Sequence, residues 1–131
     1  MTPRTTGTAS AGIRGEQPLW DERAGKERRR WPRFPVTIRA WLKINRNGIE
    51  HFTSGTCYDI GEGGTRMFVA SELHPGEEVR MRIALPYGQP VELAGVIRNR
   101  HRFEYGIEFV EVSEEDRERL VRNCTALALL L

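Results

Sequence analysis

Residues 36–44, VTIRAWLKI, give the clearest indication of the fold, because apolar and polar side chains alternate along them. This period of two is typical of a strand with one buried side. The side chains that share the apolar face are Val36, Ile38, Ala40, Leu42 and Ile44. The next turn signal is Asn47-Gly48, a pair that favours a two-residue hairpin turn. The sequence therefore predicts a β-hairpin whose second strand begins at Ile49.

Further strand-like stretches follow, each separated from the next by Gly, Pro or Asn. We predict strands over residues 36–44, 49–58, 65–70, 79–85, 91–97 and 103–110. In the second strand, we expect Ile49, Phe52 and Cys57 to point inward, and their uneven spacing with Gly55 indicates a β-bulge. Six short antiparallel strands favour an all-β barrel or sandwich that leaves few open edges.

Residues 113–130 are predicted to form a C-terminal helix. Ser113 and Asp116 have the spacing of a capping box, and acidic residues favour the first turn of a helix. One apolar stripe is formed by Leu120, Cys124, Leu127 and Leu131. We expect this stripe to cover an open end of the barrel, and the alternative is a helix that forms a dimer or docks a partner.

The charge of the chain is unevenly distributed, although its net value is only +2. Residues 1–33 carry eight Lys or Arg and four Asp or Glu, a local net charge of +4, whereas residues 34–131 carry twelve and fourteen, a local −2. We expect residues 1–25, rich in Thr, Gly, Ala and Arg, to be disordered. The folded domain is then 26–131, with a basic arm over 26–35 that suits an anionic partner.

Compartment and cofactor use are inferred from composition. Two cysteines are too few for a disulfide-stapled secreted scaffold, and their spacing predicts no metal site. The N-terminus lacks the apolar core of a signal peptide, and the chain has no run of about 18 apolar residues. We therefore expect a cytoplasmic protein without a metal or other cofactor. No paired nucleophile or phosphate-binding loop is present in the sequence, so we predict no enzyme.

Two short elements carry the candidate binding residues. The first is the arginine run that contains Arg28, Arg29 and Arg33, whose guanidinium groups match phosphate oxygens and the O6/N7 edge of guanine. The second is DIGEGG, residues 59–64, in which glycines permit close approach of a ligand and Asp59 offers a carboxylate. Together they suggest a site for a small anionic nucleotide.

These elements, taken in order, resemble the PilZ domain family. That family has an Arg-x-x-x-Arg element before the first barrel strand, matched by Arg29 and Arg33, and then Asp/Asn-x-Ser-x-x-Gly, matched by Asp59 and Gly64. YGIEF, residues 105–109, is similar to the Gly-x-x-Phe of its last strand, and residues 112–120 resemble the start of its closing helix. The resemblance covers residues 27–127, about three quarters of the chain.

The resemblance implies a bacterial receptor for cyclic di-GMP, built as a six-stranded antiparallel β-barrel with one C-terminal helix. It implies that Arg29 and Arg33, with Arg28 beside them, contact phosphates and guanine edges, that Asp59 binds a guanine edge, and that Gly64 allows the turn. Gly61 departs from the pattern, since the family usually has serine there.

These features are consistent with three functions. In the first, cyclic di-GMP orders the arginine arm against the barrel and alters a surface that a downstream protein partner recognises. In the second, the chain is a degenerate PilZ-like protein-interaction module without nucleotide. The third, a nonspecific nucleic-acid binder, is disfavoured by the local charge of −2 and by the absence of an aromatic–basic surface pattern in the sequence. We therefore expect no specific nucleic-acid partner.

Overall fold

The computed structural model describes residues 32–130, and six strands and one helix account for most of them. The strands are β1 (Phe34–Arg46), β2 (Ile49–Ile60), β3 (Gly64–Val69), β4 (Glu78–Ile83), β5 (Val91–His101) and β6 (Glu104–Val110). The helix, here α1, is Glu114–Leu130. The unit that contains these elements begins at Arg33.

The six strands close into an antiparallel barrel in the order β1-β2-β3-β6-β5-β4. Closure depends on β1, which pairs with β2 on one side and with β4 on the other. The predicted apolar face of β1 is confirmed, since Ala40, Leu42 and Ile44 are buried in the barrel core, and Val36 and Ile38 pack against it. Closure into one barrel, rather than a sandwich of two sheets, leaves every strand paired on both sides.

The β1–β2 hairpin confirms the predicted turn and corrects the predicted inward residues. Asn47 and Gly48 have positive φ angles of 55° and 81°, as a tight hairpin turn requires. Cys57 is buried, but Ile49 and Phe52 are 62% and 73% exposed, so their inward placement was wrong. Phe52 pairs with Lys43, which lies between the inward-facing residues of β1, and residues directly opposite share one side of a sheet.

A β-bulge is present in β2, but not at Gly55. Between the pairs Cys57↔Met67 and Asp59↔Arg66, β2 contains Tyr58 and β3 contains no counterpart. The extra residue shifts the inward–outward alternation of side chains by one position. Asp59 and Ile60 therefore do not continue the alternation of the residues before Tyr58. The bulge thereby sets the direction of the strand immediately before the glycine-rich turn.

Helix α1 packs against the barrel through residues of the predicted apolar stripe. The Asp116 backbone N–H donates a hydrogen bond to Ser113 Oγ at 3.1 Å, which confirms the predicted cap. Leu120 and Cys124 are buried, and Leu127 packs against the core, while Leu131 lies outside the described residues. Within residues 32–130, no helix has the length and apolarity that crossing a membrane requires.

We predict that Tyr105→Phe lowers the free energy of unfolding by about 1–2 kcal/mol. The buried Tyr105 hydroxyl accepts a hydrogen bond from the Leu73 N–H at 2.9 Å and donates one to the Ser71 carbonyl at 3.0 Å. Phenylalanine would leave the Leu73 N–H without its buried partner. Urea denaturation of the variant and the wild type measures the difference.

The matched control is Tyr58→Phe. The Tyr58 hydroxyl is also buried, but within the described residues no group meets it in standard hydrogen-bond geometry, although burial and, less strongly, the nearby Glu104 carboxylate raise its pKa. Its removal is expected to leave stability unchanged or slightly higher. Equal losses in the two variants would contradict the role assigned to the Tyr105 hydrogen bonds.

Candidate functional site

The candidate site lies where β2 ends and β3 begins, at residues 59–64. The carboxylate of Asp59 accepts a hydrogen bond through Oδ1 from the Arg66 N–H at 2.9 Å. The Asp59 carbonyl accepts another from the Thr65 hydroxyl at 2.7 Å. These two bonds hold both the backbone and the side chain of Asp59 in place, because they come from residues on the far side of the turn.

Arg33 meets this turn from the start of β1. Its Nη1 lies 3.3 Å from Asp59 Oδ1, and both side chains are largely covered, with exposed fractions of 19% and 25%. The strands explain the meeting, since Pro35, two residues after Arg33, pairs with Asp59 across the β1–β2 ladder. The structure therefore brings together two of the sequence-predicted site residues that are 26 positions apart.

Gly64 lies directly beneath the Arg33 guanidinium. A Cβ atom at Gly64 would be 3.4 Å from Arg33 Nη2 and only 2.5 Å from the carbonyl oxygen of Ile107. Gly64 pairs with Glu108 of β6, so the backbone at the end of the turn packs closely against a neighbouring strand. Glycine is needed here because of this close backbone approach, and not because of a positive φ angle.

The turn itself is closed by two backbone hydrogen bonds. The Gly61 N–H donates to the Gly64 carbonyl, and the Phe109 N–H donates to the Gly63 carbonyl, both at 2.9 Å. Gly61 is buried and does not have a positive φ angle, so its backbone conformation is one that other residues adopt. The predicted site residues Arg28 and Arg29 lie outside the described residues.

Thr65 and Arg66 were missed by the sequence reasoning, although both hold Asp59. Their position immediately after the last glycine of the turn could have identified them. Residues that leave a tight turn pair with the residues that enter it, and here Arg66 pairs with Asp59. A carboxylate such as that of Asp59 can accept N–H groups, and a guanidinium such as that of Arg33 can donate to an anionic oxygen.

The buried thiols near this region are poor nucleophiles. Burial raises the pKa of the Cys57 thiol to about 11, against a smaller lowering by a hydrogen bond with Thr65. Burial also raises the pKa of the Cys124 thiol to about 11, with a further contribution from the nearby Glu62 carboxylate. Both therefore stay protonated at neutral pH. In residues 32–130, no cluster of three or more His, Cys, Asp or Glu side chains could hold a metal ion.

The fold is shared with several solved structures. The PilZ domain of YcgR from Escherichia coli, solved with c-di-GMP, has a TM-score of 0.61 and 14% identity over 77% of this chain and 92% of that one. The Bacillus subtilis inhibitor of motility, MotI/DgrA, has a TM-score of 0.64 and 21% identity over 78% of this chain and 52% of that one. The chain thus spans only about half of MotI.

A third similar structure is the PilZ domain of CeSA from a cellulose-synthesizing bacterium, with a TM-score of 0.58 and 19% identity over 74% of this chain and 98% of that one. No match to a curated protein was found. The model of the PilZ domain family matches residues 27–126, which include the arginine run, the whole barrel and most of α1. Because that match spans well over half of the sequence, the chain belongs to the PilZ domain family.

Proposed function

We propose that this chain is a receptor for cyclic di-GMP. The observation that carries the proposal is the position of Arg33, whose guanidinium lies over Gly64 and 3.3 Å from the Asp59 carboxylate. A cation and a carboxylate side by side suit a ligand that has both phosphates and a guanine edge with N–H donors. YcgR, which has the same fold, was solved with c-di-GMP.

In the proposed mechanism, the Asp59 carboxylate is already positioned by the protein before the ligand binds. Its Oδ1 is engaged by the Arg66 N–H and by Arg33, and Oδ2 accepts a guanine N–H. Arg33 donates hydrogen bonds from some of its N–H groups to a phosphate. Arg28 and Arg29, from the basic arm, bind the ligand on its other side. Ordering of this arm against the barrel changes the surface that a partner protein meets.

The test is a calorimetric titration of the full chain with cyclic di-GMP, with cyclic di-AMP and GTP as controls. We expect selective binding in the micromolar range, about −8 kcal/mol. Absence of heat and of a thermal shift at millimolar cyclic di-GMP would contradict the proposal. It would favour the second candidate, a protein-interaction module without nucleotide, which the glycine at position 61 leaves open.

We predict that Gly61→Ser tightens cyclic di-GMP binding by about 0.5–1.5 kcal/mol, a few-fold to tenfold. Serine adds the hydroxyl that the family pattern has at this position, and it restricts the unfolded chain more than glycine does. The φ angle at Gly61 is compatible with this change, since it is not positive. Calorimetry on the variant and the wild type gives the ratio of affinities.

The control for the hydroxyl is Gly61→Ala, which restricts the chain equally without adding a donor. The serine variant is expected to bind more tightly than the alanine variant. If serine weakens binding while the melting temperature is unchanged, the turn differs from the family's binding turn. The role proposed for Asp59 would then have to be withdrawn.

A further inference from the structure

The outer surface of the barrel carries exposed aromatic and basic side chains on three adjacent strands. They are Trp41 and Lys43 on β1, Phe52 on β2, and Arg80 and Arg82 on β4, and we call them the aromatic–basic face. Lys43 pairs with Phe52 on one side and with Arg80 on the other, and Trp41 pairs with Arg82. The pairing places all five side chains in two neighbouring rows. The expectation that the chain has no aromatic–basic surface pattern was therefore wrong, because strand pairing creates one on the folded surface.

The aromatic residues of this face are exposed around a shallow groove. Trp41 is 46% exposed and Phe52 is 73% exposed, which is unusual for such large side chains on one small surface. The groove between them has a volume of about 210 Å³, and Leu42 and Met81 contribute only backbone to its floor, because their side chains are buried in the barrel core. That volume is below the roughly 300–1,000 Å³ of small-molecule sites and suits a single large side chain.

The charges of the face are arranged unfavourably for the isolated chain. Lys43 lies directly opposite Arg80, and like charges in this position destabilise a sheet. Lys43 is 3.5 Å from Glu50, and Arg82 is 3.3 Å from Glu92, but Arg80 forms no ion pair with the part of the chain that the structure describes. The groove lining has three cations and one carboxylate, although residues 34–131 as a whole carry a net −2. An anionic group placed between Lys43 and Arg80 would relieve the repulsion.

We propose that the aromatic–basic face docks an acidic segment of a partner protein. One large apolar side chain of the segment enters the groove between Trp41 and Phe52, and its carboxylates bind Arg80 and Lys43. Trp and Arg are the residues that most often dominate the energy of protein interfaces. The carboxylates of Glu50 and Glu92 at two edges of the face disfavour a continuous phosphate chain, so a protein fits the charges better than a nucleic acid does.

This face is separate from the nucleotide site. Trp41 follows Arg33 by eight residues on nearly the same strand, which corresponds to roughly 25 Å of extended chain. The two sites are therefore tested independently, and the docking surface does not depend on the receptor proposal. The experiment uses the full chain without nucleotide.

The test is a titration of ¹⁵N-labelled protein followed by NMR. The probe is a nonapeptide of eight glutamates around a central leucine. We expect shifts of amide signals confined to β1, β2 and β4 near the face, and at least tenfold weaker binding by Arg80→Glu. The matched control is Arg98→Glu, which makes the same charge reversal at an exposed arginine on another part of the barrel and is expected to bind like the wild type.

Three results would overturn the proposal. The first is the absence of shifts at millimolar peptide, or shifts located elsewhere on the barrel. The second is equal binding of a nonaglutamate without the leucine, which would leave the groove without an occupant. The third is stronger shifts at the same face with a nine-nucleotide oligodeoxythymidylate, which would assign the face to single-stranded nucleic acid. The spectrum of each variant also reports whether it is folded.

Discussion

Gly64→Ala is expected to lower the free energy of unfolding by about 3 kcal/mol, the upper range for overpacking a tightly packed position. The added Cβ would lie 2.5 Å from the carbonyl oxygen of Ile107. That oxygen belongs to the backbone of β6, which pairs with β3 at this point, so it cannot move away as a flexible side chain would. Relief of the contact requires separation of β3 from β6 at the start of the ladder.

Urea denaturation measures this loss, and Gly76→Ala is its control. Gly76 has a φ angle of 90°, and no atom lies within 4 Å of the position of its added Cβ. Alanine there meets only backbone strain, about 1 kcal/mol. If the two variants lose the same stability, the close approach of β3 and β6 at Gly64 does not govern the effect.

The second large effect is expected from Arg33→Ala, which should weaken cyclic di-GMP binding by more than about 1.5 kcal/mol, at least tenfold. In the proposed mechanism the variant loses a charge-assisted contact to the ligand, and it also loses the cation that lies 3.3 Å from Asp59. The melting temperature should change little, because Arg33 precedes β1 and its side chain is not part of the apolar core.

Arg119→Ala is the control for this measurement. Arg119 also forms an ion pair, at 3.2 Å from Glu115, but it lies on α1. We expect it to bind cyclic di-GMP like the wild type. A large fall in melting temperature for Arg33→Ala with unchanged affinity would mean that Arg33 serves the fold and not the ligand.

Much of the fold was predictable because the deciding signals are local. The alternation of residues 36–44, the turn at Asn47-Gly48 and the Ser113 cap each depend on a few neighbouring residues, and all three are confirmed. The prediction failed for Phe52, whose side depends on its partner Lys43 in the neighbouring strand. An apolar residue in a strand does not itself indicate which face is buried, because the pairing register sets the face.

For the candidate site, likewise, some features were predictable from the sequence and others depend on the tertiary structure. The chemical groups that the site could contain were predictable from the sequence, since the arginine run and the glycine-rich turn are contiguous segments. The contacts among these groups depend on the tertiary structure, in which Arg33 and the Arg66 N–H reach the Asp59 carboxylate and the Thr65 hydroxyl donates to the Asp59 backbone carbonyl. Likewise, Trp41, Phe52 and Arg80 share one surface only because β1 pairs with both β2 and β4. The reason is that barrel closure brings distant segments of chain within a few ångströms of each other, and no local pattern encodes that register.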